Sequence, residues 1–137
     1  MNKVIVKINS KQKNDKQNTI KMKALANAYT KNSILYVIYK EKDLNEEKET
    51  STMLKIQKDS LTLTRTGGVQ QQQVFVEGKE SVSDYITPYG NLKMKVKTHR
   101  LEIITGMKST IKIDYALYIN NSWQNDNELM IRLEPAN

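Results

Sequence analysis

Nucleophilic hydrolysis of the triad kind needs a histidine held by an acid and touching a nucleophile. This chain of 137 residues has one histidine, His99, set between Thr98 and Arg100 in a polar, extended stretch. That setting reads as a solvent-exposed position. There are no cysteines, which excludes disulfides, thiolate nucleophiles, iron–sulfur clusters and cysteine-based zinc sites. A single histidine also excludes a multi-histidine metal centre within one chain. Gly67-Gly68 has neither the spacing nor the following helix of a phosphate loop. Glu46, Glu47 and Glu49 form a polar loop cluster, not a spaced catalytic pair. The expectation is a non-enzymatic protein without a metal or cofactor.

Two features could still bind something. Arg65 shares the parity of Leu61 and Leu63, so alternation directs it into the protein or its mouth. An inward guanidinium must find acceptors, because an unpaired buried charge is costly. It reads either as a structural clamp closing one end against carbonyls or an acid, or as the anchor of an anionic head group. The second feature is the row Ala24, Ala26, Ala28. Small inward side chains leave volume that facing groups must fill, and Tyr36, Tyr39 and Tyr115 are the candidates to fill it or to line a cavity. Seven tyrosines against one phenylalanine give such an interior polar handles.

Charge is unevenly placed. The net charge is +7, and residues 1–31 alone hold eight lysines against one acid, Asp15. Lys3, Lys7, Lys21 and Lys23 read as outward strand positions that solvate the surface and discourage edge pairing, with a weak nucleic-acid surface as the alternative. Only Arg65, Arg100 and Arg132 could supply the forked contacts that nucleic-acid binders favour.

The elements that must position these residues are strands. Apolar residues alternate with period two along nearly the whole chain: Val4, Val6, Ile8; then Ile20 and Met22 leading into the alanine row; then Thr52, Leu54, Ile56 and Leu61, Leu63. Residues 34–39 are apolar on both faces, and residues 70–77 carry a glutamine run into Val74-Phe75-Val76. Thr87-Pro88-Tyr89-Gly90 is a turn. Leu92, Met94 and Val96 are even-numbered and Leu101 and Ile103 odd, which predicts a bulge at Thr98–Arg100. Ile111 to Ile119 and Leu129 to Leu133 complete about ten strands. Ser10 to Asn18 reads as a polar connection, Glu41 to Thr50 as another, and Asn120-Asn121 and Asn125 to Asn127 as turns around Trp123. No long helical period is present. Short, evenly spaced strands predict one domain over residues 1–137, an all-β antiparallel meander closed into an up-and-down barrel of eight to ten strands, with a two-sheet sandwich as the alternative.

Several blocks carry a family resemblance. They are Tyr36-Val-Ile-Tyr39-Lys-Glu41-Lys-Asp43-Leu44 with Thr52-Met-Leu-Lys-Ile56, and Arg65-Thr-Gly67 with Phe75-Val-Glu-Gly78. Two more are Tyr85-Ile-Thr-Pro-Tyr-Gly90-Asn-Leu92 and Ile111-Lys-Ile-Asp-Tyr115. In this order they resemble the YwiB-type proteins of Gram-positive bacteria, a family of unknown function similar to the calycins. The resemblance implies a lipocalin-like barrel and supplies no substrate, catalytic residue or cofactor. The lipocalin Gly-x-Trp signature near the first strand is absent, and the one tryptophan is Trp123.

Three function classes follow. The first is a barrel binding a small amphipathic or anionic ligand through Arg65 and tyrosine hydroxyls. The second is an interaction or assembly protein, and the third a nucleic-acid binder using the lysines. Lysines break the apolar run at the N-terminus too early for a signal peptide, and no segment approaches the roughly 18 apolar residues of a membrane span. The expected location is the cytoplasm, with no membrane partner.

Overall fold

A computed structural model describes residues 2–42 and 49–136. Ten strands follow one another: β1 (Asn2–Gln12), β2 (Asp15–Lys31), β3 (Ile34–Lys42), β4 (Glu49–Ile56), β5 (Leu61–Gly67), β6 (Gln71–Phe75), β7 (Glu80–Thr87), β8 (Gly90–Ile104), β9 (Ser109–Ile119) and β10 (Ser122–Pro135). All ladders are antiparallel, in the order β6-β5-β4-β3-β2-β1-β10-β9-β8-β7. The two outermost strands, β6 and β7, then meet through a single bridge between Gln70 and Ile86. The sheet is a nearly closed barrel.

Alternation sends one residue in two inward. Val6, Val37, Leu54, Leu61, Ile111 and Ile131 are fully or almost fully buried at the centre, where each apolar side chain gains on the order of 1.5–3 kcal/mol from leaving water. The expected parity switch is present: the β8–β9 register shifts between Thr98 and Arg100. His99 is the extra residue of that bulge and is exposed.

Turn chemistry fits the hairpins. Asn32-Ser33 and Asn120-Asn121 all have positive φ, as the two-residue turns that match strand twist require. At Gly67, φ is +121° and an added Cβ would collide with the Glu49 carbonyl oxygen, so the close pairing of β4 and β5 depends on glycine there. The Thr87 hydroxyl donates to the Gly90 carbonyl (2.8 Å) and accepts from the Tyr89 amide (3.2 Å), tying the β7–β8 turn.

Two expected connections are strands instead. The segment Ser10 to Asn18 is mostly ladder: β1 runs to Gln12 and β2 begins at Asp15, with a register shift at Lys11/Gln12. Asn125 to Asn127 lie inside β10, opposite Leu117, Ala116 and Tyr115. Backbone pairing does not require apolar side chains, so polar composition concealed both. Of the acidic connection, Asp43, Leu44, Glu46 and Glu47 lie outside the described residues; Glu49 begins β4 and meets Lys40 at 3.3 Å.

Candidate functional site

The ladders line up polar side chains across neighbouring strands on the inner face. Tyr39 of β3 stands opposite Thr52 of β4, Thr52 opposite Arg65 of β5, and Arg65 opposite Gln71 of β6. Facing them, Thr98 of β8 pairs with Tyr115 of β9, which pairs with Asn127 of β10. Below this level the interior is mostly apolar, with buried Gln73 and Ser109 as exceptions. The barrel therefore has a hydrocarbon core and one polar end.

Arg65 is the only cation among these residues. Its Nη1 donates to Gln71 Oε1 over a long 3.5 Å, and its Nε is buried without a partner. Among the described residues it forms no salt bridge. The Thr98 hydroxyl, on a residue 1% exposed, is likewise buried without a hydrogen bond, while that of Thr52, 0% exposed, lies against the Tyr39 phenol. Buried polar atoms left unpaired typically cost about 1–3 kcal/mol each, and Arg65 Nε and Thr98 Oγ1 are two such atoms at this end.

The two inner phenols sense this setting. Burial pushes the Tyr39 hydroxyl far above its ordinary value, and the nearby Glu41 carboxylate adds to the rise; Arg65 and the adjacent Thr52 hydroxyl oppose it. Burial also raises Tyr115, again opposed by Arg65. Both phenols are therefore neutral donors at physiological pH. Tyr115 is further fixed edge-on to Phe75, with centroids 5.4 Å apart.

A cleft of about 460 Å³ opens from Arg65 across the junction of β6 and β7, lined also by Gln71, Val82, Ser83, Ile86, Lys93 and one carboxylate, Asp84. A second cleft, about 540 Å³, lies where Ala28, Leu35 and Leu133 meet the Gly106-Met107 turn. Its lining includes one cation, Lys3, and one carboxylate, Glu134.

This geometry sorts the expected site residues. Arg65, Tyr39 and Tyr115 share the interior. Tyr36 does not: it stacks on Tyr29 at 5.0 Å on the outer face, because Val37 and Tyr39 take the inward parity on β3. Placing Tyr36 beside Tyr39 in one lining set is thereby corrected. Ala26 and Ala28 are buried in the core, and Ala24 packs against it; they belong to the packed part. Lys3, Lys7, Lys21 and Lys23 point outward. Lys7 stands between Lys23 and Arg132 and reaches Glu134 at 3.2 Å.

Comparison with known proteins places this barrel. A family model described as a domain of unknown function, DUF1934, matches residues 5–131. The chain belongs to the DUF1934 family. A relative in Bacillus subtilis, the uncharacterized beta-barrel protein YwiB, is 25% identical over 120 residues, 86% of this chain and 82% of the relative. The crystal structure of the ywiB protein from Bacillus subtilis superposes with a TM-score of 0.82 at 20% identity, over 98% of this chain and 91% of that one. DUF1934 membership and this likeness establish the ten-stranded barrel and leave its activity open.

Sequence reasoning missed Thr98, Gln71, Gln73 and Ser83 as site residues. The signal was available: Thr98 follows Met94 and Val96 in parity, and Gln71 and Gln73 precede Phe75. Polar residues at inward parity mark an interior that is not purely core.

Proposed function

We propose that this protein is a non-enzymatic binding barrel whose ligand is a small amphipathic anion, held head-first by Arg65. The observation that carries this reading is a guanidinium with a buried, unpartnered Nε and no carboxylate in salt-bridge reach among the described residues. A cation at a low-dielectric barrel end favours a counter-ion, and its planar fork suits a carboxylate, sulfonate or phosphate. Gln71 and Lys93 line the same cleft and supply further donors. Exposed Val82 and Ile86 at its edge would take a short hydrocarbon tail.

Titration with anilinonaphthalene sulfonate, an anionic amphiphile, tests it against the uncharged phenylnaphthylamine. The sulfonate should bind more tightly, and Arg65→Met should weaken it at least tenfold, the scale of one charge-assisted bond of about 1.5–3 kcal/mol. Equal affinity in parent and variant, or no binding by the parent, overturns the reading.

A second reading has one observation in its favour. Lys23, Lys7 and Arg132 stand side by side across β2, β1 and β10, and like charges directly opposite are destabilising. An acidic protein or nucleic acid on this outer face would relieve them. Steep loss of binding with salt, removed by Lys7→Gln with Lys23→Gln, would favour it.

A further inference from the structure

We infer that the junction of β6 and β7 is the door to the Arg65 site and that Gln71 is its latch. This rests on reading Arg65 as an anion anchor, and deepens it by naming how the ligand enters and what holds the wall shut.

Every other pair of neighbouring strands is joined by a ladder of at least five residue pairs. At β6–β7 the backbone contributes one bridge, in which Gln70 and Ile86 exchange both N–H···O bonds at 2.9 Å. The lower margin is fixed to β8 instead: the Gly78 amide donates to the Thr98 carbonyl (2.7 Å) and the Thr98 amide to the Lys79 carbonyl (3.1 Å). Between these two margins the wall is spanned by side chains. Ser83 Oγ donates to Gln73 Oε1 at 2.7 Å, and Gln71 Nε2 donates to Ser83 Oγ at 3.1 Å. A window in the barrel wall is filled by amides and a hydroxyl, groups that can exchange these bonds for water without stranding backbone.

Gln71 links that filling to the anchor. Its carbonyl oxygen faces Arg65 Nη1 while its amide nitrogen holds Ser83. An anion reaching Arg65 competes for the donor that Gln71 now occupies at a long 3.5 Å, and a bond between two ions is stronger than one from an ion to a neutral amide. Binding thus releases one side of the amide that spans the window. Outside, Val82 and Ile86 are 56% and 39% exposed and flank Asp84, whose charge stands opposite that of Lys93, so an amphipathic ligand meets apolar surface with balanced charge at the threshold and a cation within. The same cleft connects them.

The chain has no cysteine of its own, so a pair introduced as Gln70→Cys with Ile86→Cys creates one unique disulfide at the bridge. With anilinonaphthalene sulfonate as the probe, the oxidised form should bind and release at least tenfold more slowly than the reduced form, and reduction should restore the parent rates. Equal rates in the two forms overturn the door. Gln71→Leu should raise the association rate and tighten binding several-fold; a slower or weaker response overturns the latch. Amide exchange separates failure of the door from failure of the binding reading. If no form binds the probe, faster exchange at Gln70 and Ile86 than in the β1–β2 ladder, abolished by the disulfide, still supports the door and discards the ligand. Uniform protection across all ladders discards the door. Should the first pair fail to fold, Gln72→Cys with Asp84→Cys, in the same window, answers the same question.

Discussion

Arg65 and its neighbours set burial against polarity, and the balance is measurable one side chain at a time. Thr98 buries a hydroxyl without a partner. Thr98→Val keeps the shape and removes the orphan, so it should stabilise the ligand-free protein by about 1 kcal/mol in urea melts. Tyr39 and Tyr115 give the pH dependence. Their hydroxyls ionise above the ordinary value of 10.0 when folded. The stability from keeping them neutral is therefore fully present below about pH 10 and is lost as pH rises from there toward the folded values. The limiting slope is about 1.4 kcal/mol per pH unit for each group. Tyr39→Phe should flatten the alkaline limb of a stability–pH curve, and an unchanged limb would contradict the burial described. Ala26 tests packing: at 2% exposure within the core, Ala26→Leu should overpack it and cost about 1–3 kcal/mol. Arg65 was legible from parity alone. On β3, apolar on both faces, parity separates Tyr36 from Tyr39 and leaves open which of the two faces inward.

At the level of strands and turns, local sequence carries most of the pattern, and its failures have physical causes. The bulge at His99 was readable because apolar residues can change parity within one continuous strand only if the ladder skips a residue. The β1–β2 hairpin was hidden because residues 10–18 pair through the backbone while exposing polar side chains. Asn125 to Asn127 resemble a turn in composition, yet Asn127 is buried, with its Nδ2 donating to Asn125 Oδ1 at 2.6 Å. Turn conformations predict two opposite responses. Ser33 sits at φ 65°, a region costing a non-glycine residue about 1–2 kcal/mol, so Ser33→Gly should raise the melting temperature. Gly67→Ala should lower it markedly, since it adds strain at φ +121° to a collision with the backbone of β4. Calorimetry on the two variants gives the signs directly.

Across the whole molecule the barrel is two meanders, β1–β6 and β7–β10, joined firmly where β1 meets β10 and loosely where β6 meets β7. Ile131, 1% exposed in β10, serves the firm joint. Ile131→Ala should cost about 2–5 kcal/mol and lower the transition seen by far-ultraviolet dichroism and by tyrosine fluorescence together, as one cooperative unit. Closure into a barrel was expected from strand number, whereas the uneven strength of its two joints depends on register between distant segments, which alternation does not encode. The firm joint also has a consequence for biosynthesis. Lys7 and its partner Glu134 are 127 positions apart, so at about 5–20 residues per second a ribosome delivers β10 roughly 6–25 s after β1. Throughout that interval β2 can cover one side of β1, while the other is a bare strand edge able to recruit the same edge of a neighbouring nascent chain on a polysome. Lysines placed along such an edge oppose that pairing. Lys3 and Lys7, ordinary solvent-facing residues once the barrel has closed, would then matter most in the seconds before it does.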